Sequence, residues 1–347
     1  ANHKGIDLDE VKVHLSREKR HAADAANLDE KSKVADSRKP LFRSWLAPGT
    51  ITFNSESKQY DIELEAQREL LTKHNEAGRG AEFSELSIFN DRLLTFDDRT
   101  GDVFEILNNE DGTESTVAPR FVITEGSGET DKGMKWEWST VKDGELYMGS
   151  MGKEYTNSKN EVVNRNNLWI AVLDGNGQLR REDWTQHYNV VRKALNAEFP
   201  GYLIIEAVNW SDHLQKWVFL PRRVSSEIYN KNQDKKKGSN KVVLVSPDFS
   251  EAKVVDIQLK DKDPLKGFSS FAFVPGTNDE HAMAIRSVEE NCTGSMDVCE
   301  QRSYLIIFNV LTGKVLSDEL QYPEKLKFEG LEFVNLYTKA PPMPTLS

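Results

Sequence analysis

The chain has 347 residues, with 45 Lys and Arg against 56 Asp and Glu and a formal net charge of −11. That length buries roughly three quarters of the unfolded surface, so neither metal nor disulfide is needed merely to hold a core. The acidic balance excludes a nucleic-acid scaffold, which needs a basic face, and the longest apolar run, YLIIFNVL at 304–311, is far short of the ~20 residues of a membrane helix.

The opening ANHKGIDLDE has no initiator Met, apolar signal core or basic leader, as expected of a processed mature chain. Residues 1–20 are mixed in charge and carry no period, and GTITFNSESKQYDIEL at 49–64 reads as a hairpin. From residue 84 the period is two, with turn signals between runs. SELSIFN, RLLTF, VFEIL and RFVITEG form a first set, and MKWEWSTV, ELYMGS and LWIAVLD a second. A helix is expected at REDWTQHYNVVRKAL, 181–195. GYLIIEAVNW, KWVFLPR, KVVLVSPD and AKVVDIQL form a third set, interrupted by the solvated basic loop KNQDKKKG at 231–238. GFSSFAFV, HAMAIRSV, YLIIFNVL and VLSDEL form a fourth, and KFEGLEFV begins a fifth just before the proline-bearing tail. Repeated four-strand units are the blades of a propeller, which removes sheet edges by radial repetition. The expected fold is all-β, a five-bladed β-propeller over 1–347 with the last blade closed by N-terminal strands and with residues 1–20 and 336–347 peripheral.

The two cysteines, Cys292 and Cys299, lie in the polar loop ENCTGSMDVCEQ. That spacing suits a small disulfide ring better than zinc, which wants four ligands. Closing it constrains the unfolded chain by roughly 2.5 kcal/mol, and an oxidising compartment follows. Sequons at Asn209 and Asn291 agree with secretion. No P-loop motif occurs, so Walker-type chemistry is excluded.

The leading strands of the five sets carry Ser84, Glu137, Glu206, Ser269 and Glu329 among apolar neighbours, recurring roughly every 60 residues. The first strand of each propeller blade lines the central channel, so these five side chains can converge on one axis. Three carboxylates buried together repel and take up protons unless a cation joins them. Calcium, with six to eight oxygen ligands, suits a wide channel better than magnesium. For any single glutamate the alternative is a bond to backbone amides or water.

At these residues the sequence resembles the calcium-activated nucleotidase (apyrase) family of five-bladed propellers. The stretches that carry the resemblance are SELSIFNDRLLTFDDRTG, KGMKWEWSTVKDGELYMGSMGKEYT, GYLIIEAVNWSD, KWVFLPRR, GFSSFAFVPGTNDE and KFEGLEFV, within residues 84–334. The resemblance implies calcium-dependent hydrolysis of nucleoside di- and triphosphates, with Ca2+ on Ser84, Glu137, Glu206, Ser269 and Glu329. A salivary type would take ADP and ATP and suppress platelet aggregation; a secretory-pathway type would prefer UDP and GDP. No Lys-Asp-Glu-Leu signal ends the chain, which favours secretion. A calcium-stabilised propeller that binds nucleotides or a protein without turnover is the non-enzymatic alternative.

Within this frame Arg99 in the turn at 97–101 can pair with phosphate oxygens, while Asp97 or Asp98 orients water. Glu154, Asp212, Arg222 and Arg223 are further candidates, and Trp138, Tyr155 and Trp210 can stack on a base. Relatives usually carry an aliphatic N-terminal strand ending in Ala-Asp-Leu-Asp. This chain has Ala25, Ala26 and Asn27 where larger apolar residues and the first acid are expected, and Asp29 matches the second.

Overall fold

The computed structural model describes residues 19–28, 32–35, 37–109, 113–292 and 299–334. Its strands are β1 (Lys19–Asn27), β2 (Phe42–Asn54), β3 (Gln59–Leu64) and β4 (Arg68–Thr72), followed by β5 (Phe83–Phe89), β6 (Arg92–Asp97), β7 (Asp102–Asn108) and β8 (Ser115–Val122). Next come β9 (Trp138–Lys142), β10 (Glu145–Gly149), the short pair β11 (Tyr155–Thr156) and β12 (Val162–Asn164), then β13 (Trp169–Leu173) and β14 (Leu179–Asp183). Helix α1 (Thr185–Ala194) leads to β15 (Tyr202–Ser211), β16 (Lys216–Ser225), the one-turn helix α2 (Lys231–Asp234), β17 (Lys241–Val245) and β18 (Ala252–Asp256). The chain continues through β19 (Gly267–Phe273), β20 (His281–Glu290), β21 (Glu300–Asn309), β22 (Leu320–Gln321) and β23 (Lys327–Glu332).

These strands form five sheets arranged as a five-bladed β-propeller. Four run outward in chain order, from β5, β9, β15 and β19. The fifth has β23 innermost, followed by β1, β2 and β3, so strands from the two ends of the chain share one blade as expected. The inner strands pack in the cyclic order β5, β9, β15, β19, β23 and back to β5. An apolar cluster fills each of the five gaps between neighbouring sheets, so every blade is covered on both faces. That explains the near-continuous apolar runs of β19 and β21.

Three boundaries differ from the sequence reading. Residues 181–183 finish β14, with Asp183 Oδ1 accepting from the Thr185 amide at 2.9 Å, so the helix begins only at Thr185. The outer strand expected at VLSDEL shrinks to Leu320–Gln321. The segment between Met151 and Trp169 adds the β11–β12 hairpin outside the blade. Cys292 and Cys299 are disulfide-bonded as expected.

The closing strand β1 is apolar but small: Ala23, Ala25 and Ala26 are fully buried. Between them Asp24 is 2 % exposed and accepts a hydrogen bond from the Tyr322 hydroxyl, while its Oδ1 has no partner among the described residues. Burial pushes its carboxyl up to about 7.

Candidate functional site in the central channel

Four of the five recurring side chains sit at a β-bulge. In β5, Phe83 pairs with Asp97 and Leu86 with Thr95, leaving one residue too many at Ser84–Glu85. In β15, Ile205 faces Pro221 and Val208 faces Phe219, so Glu206 falls in the extra step. Ser269 is skipped between the Phe268–Arg286 and Ser270–Ile285 pairs, and Glu329 between Gly330–Ala25 and Phe328–Ala26. Glu137 lies just before β9, where its amide donates to the Gly149 carbonyl at 2.9 Å. A bulge re-aims a side chain that regular pleating would send into a blade. The three glutamates converge, since Arg222 pairs with both Glu206 and Glu329 and both act electrostatically on Glu137.

The glutamates do not meet alone. Lys135 Nζ bridges Glu137 at 2.6 Å and Asp98 at 2.7 Å. Arg222 pairs with Glu206, with Glu289 at 2.6 Å and with Glu329 at 3.2 Å, and Lys327 bridges Glu329 at 2.7 Å and Glu289 at 3.4 Å. Five carboxylates thus face three cations, which leaves a formal excess of two negative charges in a buried channel. Burial, reinforced by Glu206, Asp98 and Glu329, holds the Glu137 carboxyl well above the usual range. Burial likewise pushes Glu329 up to about 7 against the pull of Lys327. For Glu289 burial works upward too, but Lys327 and Arg222 win and bring it to about 2. Burial would lower Lys135 and Arg222, yet their carboxylate partners hold both well above the ordinary value.

Ser84 Oγ donates to the Trp136 carbonyl at 2.7 Å and Ser269 Oγ to the Phe328 carbonyl at 2.9 Å, each across to the next blade. Both hydroxyl oxygens keep lone pairs. Among the described residues, no three His, Cys, Asp or Glu side chains are grouped tightly enough to hold a metal ion in this arrangement. The donor set nevertheless fits a divalent cation, because its lone pairs belong to hard oxygens and a bound cation would take the place of the protons that burial draws onto Glu137 and Glu329.

The remaining candidates divide. Asp98 belongs to the channel through Lys135, and Arg222 lies at its centre. Asp97 is buried and organises its own turn, accepting from the amides of Ala81, Arg99 and Thr100 at 2.9, 2.9 and 3.2 Å. Burial first, then Asp98, pushes its carboxyl up to about 7. Arg99 pairs with Glu76 at 2.9 Å on a more exposed face. Glu154 is engaged by Arg192 of α1 through two bonds of 2.8 Å; burial would raise its carboxyl, but Arg192 keeps it low. Trp138 is 1 % exposed, and its indole donates to the Ser150 carbonyl and the Tyr188 hydroxyl, both at 3.1 Å, so it has no face for a base. Tyr155 is exposed beside Lys132. Arg223 is buried, 4.0 Å from Asp234. Trp210 and Asp212, joined by an indole bond of 2.6 Å, line a separate cavity with Asn209. Asn209 donates to the Phe271 carbonyl at 2.6 Å. Asp29 lies outside the described residues.

The Glu154–Arg192 pair carries its own prediction. Arg192→Met should destabilise the fold by about 3–5 kcal/mol in chemical denaturation, because it strands a desolvated carboxylate.

A model of the Apyrase family matches residues 28–334, nearly the whole described chain. The chain belongs to the apyrase family. It is 38% identical over 310 residues to soluble calcium-activated nucleotidase 1 of Rattus norvegicus, covering 89% of this chain and 72% of that one. It is 34% identical over 308 residues to an apyrase of Cimex lectularius, covering 88% and 80%, and 32% over 307 residues to an apyrase of Phlebotomus duboscqi, covering 88% and 86%. It is accordingly a nucleotide phosphohydrolase.

In this apyrase three channel residues escape sequence reasoning: Lys135, Glu289 and Lys327. Two of them carry a readable signal. Lys135-Trp136-Glu137 and Lys327-Phe328-Glu329 share a Lys–aromatic–Glu pattern in which the lysine pairs with the glutamate two residues on. Glu289 lies on β20, the second strand of its blade, and has no such mark.

Proposed function

We propose that this apyrase requires calcium and hydrolyses nucleoside di- and triphosphates, ADP and ATP among them, to the monophosphate and inorganic phosphate outside the cell. The observation that carries the reading is the gathering of five acids, Glu137, Glu206, Glu289, Glu329 and Asp98, around only three cations in one buried channel. Glu137, Glu206 and Glu329, with the lone pairs of Ser84 and Ser269, would hold the ion. When bound, calcium supplies Lewis-acid neutralisation of phosphate oxygens.

The chain's own cations do the rest. Lys135, Arg222 and Lys327 would donate to phosphate oxygens, Arg222 bidentately. Asp98 accepts from water and orients it for in-line attack. The disulfide supports an oxidising, extracellular setting, where removal of ADP suppresses platelet aggregation. Among the described residues no helix is long and apolar enough to cross a membrane.

Phosphate release from ADP, ATP, UDP and GDP, with millimolar calcium, magnesium or chelator, tests this. Release only with calcium, and from ADP and ATP at least as fast as from UDP and GDP, is expected. Equal release with chelator, or a strong preference for UDP and GDP, contradicts the reading. Within the 97–99 turn, Asp98→Asn should lower turnover at least tenfold, whereas Arg99→Ala, which loses only the Glu76 pair, should change it less than threefold. The reverse order would move the site to the outer face of the turn.

A further inference from the structure

Glu289 stands apart from the other acids of the channel. Glu206 and Glu329 lie on inner strands and Glu137 just before one, whereas Glu289 lies on β20, the second strand of its blade. It nevertheless reaches both cations that sit on the glutamates proposed to hold calcium. Arg222 divides its guanidinium, Nη1 donating to Glu206 and Glu329 and Nη2 donating to Glu289 at 2.6 Å. Lys327 Nζ lies 2.7 Å from Glu329 and 3.4 Å from Glu289. Among the described residues Glu289 is the acid outside the candidate ligand set that touches both.

A divalent ion and these two cations compete for the same carboxylates, Glu206 and Glu329. A buried cation left without a partner is costly. A counter-charge that calcium does not claim therefore decides whether Arg222 and Lys327 can stay beside the site without resting on the ligands. Glu289 occupies that place.

The position of Glu289 depends on a hairpin end. Pairing of β19 with β20 stops at Ser287, so Val288, Glu289 and Glu290 are paired with β21 alone, opposite Arg302, Gln301 and Glu300. A two-stranded ribbon is marginal without further support. Here the support is lateral and terminal: Arg302 pairs with Glu290 at 2.5 Å, and the Cys292–Cys299 disulfide closes the ribbon just past its last pair.

We infer that Glu289 is the positioning residue for Arg222 and Lys327, anchoring both cations from outside the calcium-holding set, and that the disulfide clamps the ribbon that carries it. The inference rests on the calcium reading above and assigns the residue that keeps the chain's own cations from occupying the calcium site.

Phosphate release from ADP, followed across a calcium titration, tests it, with melting temperature in chelator as the check on folding. Glu289→Gln should raise the calcium concentration for half-maximal release at least tenfold, because Arg222 and Lys327 then rest on Glu206 and Glu329 alone. Glu290→Gln, which removes a neighbouring acid that pairs with Arg302, should leave that concentration within about twofold. Cys292→Ser with Cys299→Ser, which keeps Glu289 and serves if Glu289→Gln does not fold, should shift it in the same direction by about threefold or more, and should add nothing in the Glu289→Gln background. Calcium-dependent release that a folded Glu289→Gln variant leaves unchanged would overturn the inference alone. So would equal effects of Glu289→Gln and Glu290→Gln, or a cysteine effect of the same size with and without Glu289. Equal release by the unaltered chain in chelator would overturn the calcium reading and this inference with it.

Discussion

Glu206→Gln should lower calcium-dependent phosphate release by about 100-fold or more while leaving the fold intact. The amide keeps the shape of the side chain but removes a carboxylate from the channel's donor set. It also frees Arg222 to close on Glu289 and Glu329, with which it already pairs. Both effects oppose a divalent cation, and losing one preorganised charge from such a site typically costs two orders of magnitude or more in rate. The melting temperature without calcium should hold or rise, since burial of like charges is relieved; its rise on adding calcium should shrink. Unchanged turnover across a calcium titration would remove Glu206 from the machinery.

The second large effect lies in the closing strand. Replacing both Asp24 and Tyr322, as Asp24→Val with Tyr322→Phe, should stabilise the protein by about 3 kcal/mol at pH 8. Removing both partners leaves neither a lone hydroxyl nor a buried carboxylate. Asp24 titrates near 3.8 when unfolded and near 7 when folded, so the folded state holds the proton more tightly. Its contribution therefore falls as pH rises from about 4 to about 7 and is lowest above that, with about 4 kcal/mol as the upper limit for such a shift. The advantage of the double variant should accordingly be large at pH 8 and small at pH 5. Asp97 and Glu332 are raised in the same direction, so the difference between variant and parent in urea midpoints at the two pH values is the informative quantity. A pH-independent difference would show that Asp24 does not ionise in this range.

The meeting of Glu137, Glu206 and Glu329 was legible because oxygen-bearing residues amid apolar strands recur at blade spacing, and N-terminal closure followed from an incomplete fifth set. Partnerships across the ring were not legible. Trp138 looked available because nothing near it in sequence announces Tyr188, fifty positions on, and Arg99 looked free because Glu76 belongs to another segment. Bulges are equally silent in the chain, since register emerges only from pairing with the neighbouring strand. One of them leaves Ser84 and Glu85 together opposite a single residue of β6. The expected helix began too early because Arg181 to Asp183 pair with β13, and tertiary pairing overrode their local helical character.

The most direct test of the central claim is calorimetric titration of calcium into the chain and into a triple variant, Glu137→Gln, Glu206→Gln and Glu329→Gln. One calcium per unaltered chain, and none in a triple variant that still melts cooperatively, is the predicted result. A triple variant that binds calcium with the same stoichiometry and affinity would show that the ion lies elsewhere and that the channel glutamates serve only Lys135, Arg222 and Lys327.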